Sequence, residues 1–249
     1  MRLSRFYIDQ DLQVGQTLPA PDSLLRHAVQ VLRLQAKAPF IVFNGSGGEY
    51  RAHLEAISKR GATLVIDDFQ NNAFESPLAL TLVQAMIKPD KMDFALQKAV
   101  ELGVHAFQPL ITRRSVVRPS QDKHAKKMQH WEAVALSACE QCGRDQIIKV
   151  LAPITLDAYL EQTANTTSPI RRLLLAPDAD VRLPDLALQQ PEALATHVLI
   201  GPEGGFHAEE VAQCLQSQAS AVSLGPRILR AETAATAAIT LVQTAWGDL

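Results

Sequence analysis

The sequence predicts an α/β protein with a parallel sheet over residues 78–249 and a smaller, mostly β part in front of it. From Leu78 onward, short apolar runs alternate with helix-forming segments, the pattern of a parallel sheet covered on both faces. Residues 1–70 instead contain several short β-branched or alternating runs, which suit a small β-barrel. A polar segment that closes with Pro77 separates the two. We therefore place domains at 1–70 and 78–249, with a linker at 71–77.

The N-terminal part carries a hairpin signal. An apolar run at 40–43, a glycine-rich turn at 45–48 and an alternating run at 49–57 predict two antiparallel strands. Because the glycines lie inside a hairpin, they indicate a turn and not a phosphate loop. A β-branched run at 62–66 predicts a further strand. One short helix is predicted between residues 24 and 34 from the spacing of Leu24, Leu25, Ala28, Val31 and Leu32.

The C-terminal part alternates between strands and helices. An amphipathic pattern predicts a helix over 90–102, and Gly103 is suited to end it. Further helices are predicted over 127–141, from Ala208, and through the alanine-rich run 231–238. The predicted strands are 78–85, 104–110, 150–154, 171–176, 198–200 and 222–224.

Two strand–glycine–helix junctions lie close together near the C-terminus. The first carries Gly201, Gly204 and Gly205, and the second carries Gly225. Glycine lets a backbone turn sharply and approach a ligand closely, and the start of a helix presents free N–H groups. Neither junction is a G-x-x-x-x-G-K-[ST] or G-x-G-x-x-G motif. The residues alone therefore predict one site built from two loops and leave its ligand open.

The charges are unevenly distributed along a chain whose net charge is only −2. Residues 78–130 hold nine Lys or Arg and four Asp or Glu, whereas residues 131–249 hold seven and fourteen. A basic middle segment beside an acidic half suits a patch that faces RNA, and a solvated helical face is the alternative. The basic run comprises Arg113, Arg114, Arg118, Lys123, Lys126 and Lys127.

Several classes of protein are excluded by simple patterns. No apolar run reaches 18 residues, and the N-terminus lacks the apolar core of a signal peptide, so we expect a cytoplasmic protein without a membrane partner. Three cysteines do not form a disulfide framework. The pair Cys139 and Cys142 has no second pair and no nearby ligand histidine. It therefore predicts packed helix residues, and we expect no metal.

The paired loops, residues 200–206 (Ile-Gly-Pro-Glu-Gly-Gly-Phe) and 224–233 (Leu-Gly-Pro-Arg-Ile-Leu-Arg-Ala-Glu-Thr), resemble the paired motifs of SPOUT methyltransferases. Within that superfamily the chain resembles the bacterial family that methylates N3 of a uridine in 16S ribosomal RNA. The resemblance covers nearly the whole chain. It implies an N-terminal PUA-like RNA-binding barrel, a C-terminal domain with a deep trefoil knot, and a homodimer that acts on the 30S subunit. Physical rules alone predict an open, unknotted sheet.

The resemblance also implies which residues act. The methyl donor, S-adenosylmethionine, would be held mainly by backbone groups of Leu175, Ala176, Ile200, Gly201, Glu203, Gly204, Leu224, Gly225, Ile228 and Leu229. Arg230 and Glu232 are the candidate catalytic residues. Arg230 could stabilise the uracil anion or hold a phosphate, and Glu232 could take the N3 proton or orient Arg230. The alternative is a structural salt bridge between these two, and the identity of the base stays open.

RNA contacts are implied at Arg113 and Arg114 in the basic run, and at three further positions. The family usually has a His-His pair followed by Val-Leu-Arg, where this chain has Arg26 and His27 followed by a retained Arg33. Arg144, with Glu140, matches a motif that would line the RNA side. His207 stands where the family commonly has Ser or Thr, and is expected to cap its helix more weakly.

Two other functions compete with uridine methylation. One is ribose 2′-O methylation of tRNA or rRNA by a SPOUT enzyme. The other is RNA binding without catalysis, against which the intact loop glycines and the pair Arg230 and Glu232 argue.

Overall fold

The computed structural model describes residues 3–58, 61–72, 74–115, 124–164, 166 and 168–249. Arg118 and Lys123 of the basic run lie outside these ranges. The chain forms two compact units, Met1–Glu75 with Leu136–Ile147, and Ser76–Ala135 with Ile148–Leu249. Residues 136–147, which we expected in the C-terminal domain, thus pack with the N-terminal unit.

The first unit is built on a five-stranded sheet in the order β1-β3-β4-β5-β2. Only the pair β1 and β3 is parallel. The predicted hairpin is confirmed as β3 and β4, and β5 extends to Gln70, the residue before the predicted linker. The strands are β1 (Arg5–Tyr7), β2 (Thr17–Pro19), β3 (Phe40–Phe43), β4 (Glu49–Ser58) and β5 (Gly61–Gln70).

The helical part of this unit differs from the single helix that the spacing predicts. Helix α1 (Asp22–Leu25) passes directly into a π-helical segment, Arg26–Val31. Arg33 follows with φ of 53°, in the left-handed region that residues with a side chain rarely adopt. The predicted apolar face is confirmed only in part. Leu24 and Ala28 are buried in the core of this unit, whereas Val31 and Leu32 are 64 % and 43 % exposed.

Residues 136–147 are attached to the first unit through buried polar contacts. The Arg144 guanidinium lies against Glu75, with Nε and Nη2 at 2.9 and 2.6 Å from Oε2, and the Arg144 carbonyl accepts a hydrogen bond from Arg5. The Asp145 carboxylate accepts the N–H of Gly48 at 2.7 Å. Glu140 accepts the N–H of Tyr7 at 3.0 Å.

The prediction that Arg144 faces RNA is therefore wrong. Its side chain is only 5 % exposed and is committed to Glu75. A guanidinium with 5 % exposure that is paired with Glu75 offers little surface to a phosphate, so we assign Arg144 a structural role. Glu140 is likewise engaged by the backbone of Tyr7.

The second unit is built on a seven-stranded sheet in which every strand pairing is parallel, as predicted. The order is β12-β10-β11-β6-β7-β8, and β9 also pairs with β7. The strands are β6 (Leu80–Ala85), β7 (Ala106–Ile111), β8 (Lys149–Val150), β9 (Ile154–Thr155), β10 (Ile170–Leu175), β11 (Ala195–Ile200) and β12 (Ser220–Val222).

Helices cover both faces of this sheet. Helix α7 packs on β6 and β11, while α4 packs on β7 and α6 shares a buried cluster with β10 and β11. Gly103, with φ of 79°, follows the end of α2 as predicted. The helices are α2 (Pro89–Glu101), α3 (His124–Cys142), α4 (Leu156–Ala164), α5 (Leu183–Gln189), α6 (Ala208–Gln216) and α7 (Ala231–Trp246).

The strand order brings three carboxyl ends together. In the middle strand, β10, Leu174 lies opposite Leu199 of β11 on one side and Ala221 of β12 on the other. Because all three strands run in the same direction, the loops that follow them leave from one edge of the sheet. The described part of the chain contains no helix long and apolar enough to cross a membrane.

We expect Arg144→Met to destabilise the protein by about 3 kcal/mol, because it leaves the Glu75 carboxylate, only 14 % exposed, without its cation. Denaturant unfolding measures the loss. Arg26→Met is the matched control, since this arginine of the same unit is exposed and should change stability by less than about 0.5 kcal/mol. Equal effects of the two substitutions would contradict the structural role of Arg144.

A partly buried histidine makes stability depend on pH. The Tyr159 hydroxyl lies 2.8 Å from Nδ1 of His197, and burial, with a smaller contribution from Arg172, lowers the pKa of His197 from 6.5 to about 4. The unfolded chain therefore binds a proton at a higher pH than the native one. The stabilisation is complete above pH 6.5 and is lost as the pH falls towards 4, by at most about 3 kcal/mol.

Unfolding measured across this pH range should show that dependence, and His197→Gln should flatten it. An unchanged slope in the variant would assign the effect to other groups.

Candidate active site

A cavity of about 830 Å³ opens at the edge where β10, β11 and β12 end. The loops after all three strands line it, so the two glycine loops do meet at one place. All ten residues predicted to hold the methyl donor are among the lining residues, together with Arg230 and Glu232. That these residues bind a donor stays a prediction.

The glycine loops depend on backbone conformations that other residues rarely adopt. Gly205 and Gly225 have φ of 68° and 110°. At Gly201 a Cβ atom would lie 3.1 Å from the backbone nitrogen of Phe206, closer than nearly all real contacts of this kind. The glycines therefore allow the loop after β11 to fold back tightly on itself.

One buried carboxylate joins this loop to the loop after β7. Glu210 is 4 % exposed, and its two oxygens accept the backbone N–H groups of Arg113 and His207, each at 2.8 Å. His207 in turn accepts the N–H of Glu209 through Nδ1 at 3.4 Å, which completes a capping box at the start of α6. The histidine ring and Glu210 thus share the capping, and the weaker cap expected of His207 compared with Ser or Thr stays a prediction.

The two arginines of the basic run that follow β7 are both engaged with the glycine loop region. Arg114 lines the cavity and donates from Nη1 to the carbonyl of Gly204 at 2.8 Å. Arg113 forms an ion pair with Glu209. Whether either also contacts RNA stays a prediction.

The loop between β6 and α2, with the first turn of α2, also lines the cavity, and the glycine pattern did not reveal it. Lys88 lies at the N-cap position of α2, and Lys91 lies in the first turn of that helix. The Lys88 N–H points to Oε1 of Glu203 at 3.4 Å, which ties this loop to the loop after β11. The available signal was positional: the Lys-Pro-Asp-Lys sequence follows directly after a predicted strand of the same sheet.

Glu232 pairs with a residue that we did not foresee. Its carboxylate lies 3.5 Å from Nζ of Lys91, and the residue is 8 % exposed. Arg230 occupies the N-cap position of α7 and is exposed. Among the residues that the structure describes, Arg230 and Glu232 do not form the salt bridge that was the alternative to their catalytic roles.

Positive charge predominates around the cavity. Five cationic residues line it against three acidic residues, although the second half of the chain is acidic overall. Such a lining favours a polyanion at the mouth. The cationic residues are Lys88, Lys91, Arg114, Arg227 and Arg230, and the acidic residues are Asp178, Glu203 and Glu232.

The remaining predicted RNA contacts lie in the first unit. Arg26 and Arg33 are both exposed, on or just after the π-helical segment. Their accessibility is compatible with phosphate binding, and their role stays a prediction.

The substitution Glu210→Gln tests whether this carboxylate holds the loops after β7 and β11 together. The amide keeps one acceptor oxygen and turns its NH₂ group towards the second backbone donor, so we expect about 2 kcal/mol of lost stability and faster hydrogen exchange at Arg113 or His207. The neighbouring Glu209→Gln is the control, because it removes only an exposed ion pair worth about 0–1 kcal/mol. Similar effects of both substitutions would show that Glu210 does not hold the two loops together.

Comparison with known proteins gives consistent matches over both parts of the chain. A family model described as the RNA methyltransferase domain matches residues 74–243, and one described as the RNA methyltransferase PUA domain matches residues 21–67. The ribosomal RNA small subunit methyltransferase E of Buchnera aphidicola subsp. Schizaphis graminum is 33 % identical over 249 residues, covering 100 % of this chain and 98 % of that protein.

Two solved structures are similar over their whole length. One is a ribosomal RNA small subunit methyltransferase E from Neisseria gonorrhoeae bound to S-adenosyl methionine, with 38 % identity, a TM-score of 0.90 and full coverage of both chains. The other is a putative methyltransferase from Legionella pneumophila in complex with the bound cofactor SAM, with 35 % identity, a TM-score of 0.91 and full coverage of both chains. The predicted family is confirmed, whereas the trefoil knot stays a prediction. The chain belongs to the RNA methyltransferase family that carries a PUA domain, together with the ribosomal RNA small subunit methyltransferases E.

Proposed function

We propose that this protein methylates N3 of a specific uridine in 16S ribosomal RNA of the small subunit, with S-adenosylmethionine as the methyl donor. The observation that carries the proposal is the cavity, because every residue that the resemblance assigns to the donor lines it. The names of the similar proteins support the ribosomal RNA substrate.

The residues around the cavity fit S-adenosylmethionine. Its volume of about 830 Å³ lies in the usual range for small-molecule sites, about 300–1,000 Å³. Glycine backbone at Gly204 and Gly225 allows close approach of a ligand to the main chain. The carboxylates of Asp178 and Glu203 suit the positive charges of the donor. When bound, the donor supplies a methyl group on a positively charged sulfur, which is a good leaving group.

The protein's own residues must prepare the acceptor nitrogen. N3 of uracil carries a proton and is a poor nucleophile until that proton is removed. Glu232, at the start of α7 in the cavity lining, is our candidate for the proton acceptor. Arg230, exposed at the cavity mouth, can stabilise the uracil anion or hold a phosphate of the RNA. Holding the base against the donor contributes further through proximity.

Each unit offers candidate contacts to the RNA. The PUA domain offers the exposed Arg26 and Arg33, and the catalytic unit offers the cationic lining that includes Arg114 and Arg227. Because folded RNA is read through its shape and through unstacked bases, an assembled 30S subunit is the proposed substrate. We further propose a homodimer that works in the cytoplasm, where ribosomal subunits assemble.

Methyl transfer from labelled S-adenosylmethionine to small subunits that lack the modification tests the proposal. Nucleoside analysis should identify 3-methyluridine as the product. Gly204→Val should abolish both the product and the heat of donor binding. A Cβ at this position meets only Arg114, at 3.5 Å, so the loop itself tolerates the first added atom.

Gly204→Ala serves as the milder comparison and should lose less activity than the valine variant. Transfer to a ribose oxygen or to tRNA would keep the family and overturn the proposed reaction. A wild type that neither binds the donor nor transfers a methyl group would indicate an RNA-binding protein without catalysis.

A further inference from the structure

An ion pair connects two helices at the edge of the cavity. Lys91 lies in the first turn of α2 and Glu232 in the first turn of α7, and these helices pack together. Nζ of Lys91 is 3.5 Å from Oε1 of Glu232, and both residues line the cavity. The pair therefore belongs to the site and not to a remote surface.

The two partners differ in accessibility. The Glu232 side chain is 11 % exposed, whereas that of Lys91 is 38 % exposed. The other acidic group near the ammonium is Asp90, at 3.8 Å and 72 % exposed, which water screens more strongly. The buried carboxylate thus anchors the ammonium, and the ammonium is the partner that an incoming ligand meets first.

Removal of the N3 proton creates a negative charge on uracil, which the Lys91 ammonium can stabilise. When the N3–H bond breaks, its electron pair stays on nitrogen and the negative charge spreads to the two neighbouring carbonyl oxygens of uracil. A fixed cation beside that charge stabilises it more than mobile water does. Lys91 is held in place, whereas the side chain of Arg230 has no ion pair or hydrogen bond within the residues that the structure describes.

We propose that Lys91 is a catalytic residue, whose ammonium stabilises the uracil anion while the proton passes from N3 to the Glu232 carboxylate. This inference rests on the proposed methylation of uridine N3. Glu232 then has two tasks: Oε1 lies 3.5 Å from the Lys91 ammonium, and the carboxylate accepts the substrate proton on its other oxygen. The proton later leaves to water, which restores the carboxylate.

The experiment compares Lys91→Met, Lys91→Arg and Lys98→Met in the full-length protein. Lys98 lies on the same helix, pairs with Glu101 at 2.7 Å and is not a lining residue. Its substitution removes an equal charge and an equal type of contact. We expect Lys91→Met to lower kcat about 100-fold, in line with the loss of one group that stabilises an anion. Lys91→Arg should recover most of that loss, and Lys98→Met should leave kcat unchanged.

The pH profile of kcat separates catalysis from a structural role. Without the nearby cation, uracil loses its proton only at higher pH, so the activity of Lys91→Met should recover as the pH rises, while the wild type levels off earlier. The heat of S-adenosylmethionine binding, measured on the same samples, should be the same for all variants.

Three results would overturn the inference: an unchanged kcat in Lys91→Met, an equal loss at every pH, or a parallel loss of donor binding. The proposed function is tested by the wild type alone. If the wild type makes no 3-methyluridine, that function fails and the inference fails with it. If the wild type makes it and Lys91→Met behaves identically, only the inference fails.

Discussion

The parallel pairing of β10 with both β11 and β12 is the constraint on which the site depends. Parallel neighbours end at the same edge of a sheet, so this order brings together three loops that are separated by more than twenty residues along the chain. Each loop alone would be an ordinary turn. Together they line one cavity, and two of the loops carry a glycine with positive φ, Gly205 and Gly225, where the backbone turns.

Hydrogen bonds with charged side chains hold the loops in the positions that the sheet gives them. Glu210 is the clearest case, since a buried charge would be costly without partners, and it receives two backbone N–H groups from different loops. Arg114 donates a hydrogen bond to the carbonyl of Gly204 in the loop after β11. The loop that carries most of the glycines is thus held from both sides by ionised side chains. It can keep flexible residues without losing its shape.

Local patterns in the sequence predicted what depends on neighbours along the chain. The alternation of strands and helices, the hairpin, the end of α2 at Gly103 and the two glycine junctions are all of this kind. What the sequence could not predict depends on long-range partners. Arg144 was expected on an RNA-facing surface because its type suits phosphate, but its partner Glu75 lies 69 residues away. Lys91 went unnoticed for the same reason, since Glu232 is far along the chain.

The charge around the cavity is opposite in sign to the net charge of the whole chain. The net charge is −2 and residues 131–249 carry an excess of acidic groups, yet cations predominate around the cavity. Screening limits the reach of exposed charges to about 8–10 Å in physiological salt, so the local lining decides what a substrate meets. Of the acidic groups in that lining, Glu232 is buried against Lys91, whereas Glu203 and Asp178 are exposed. Under the proposed function, the exposed cations attract the RNA backbone, and the buried Glu232 is the carboxylate that meets the base entering the cavity.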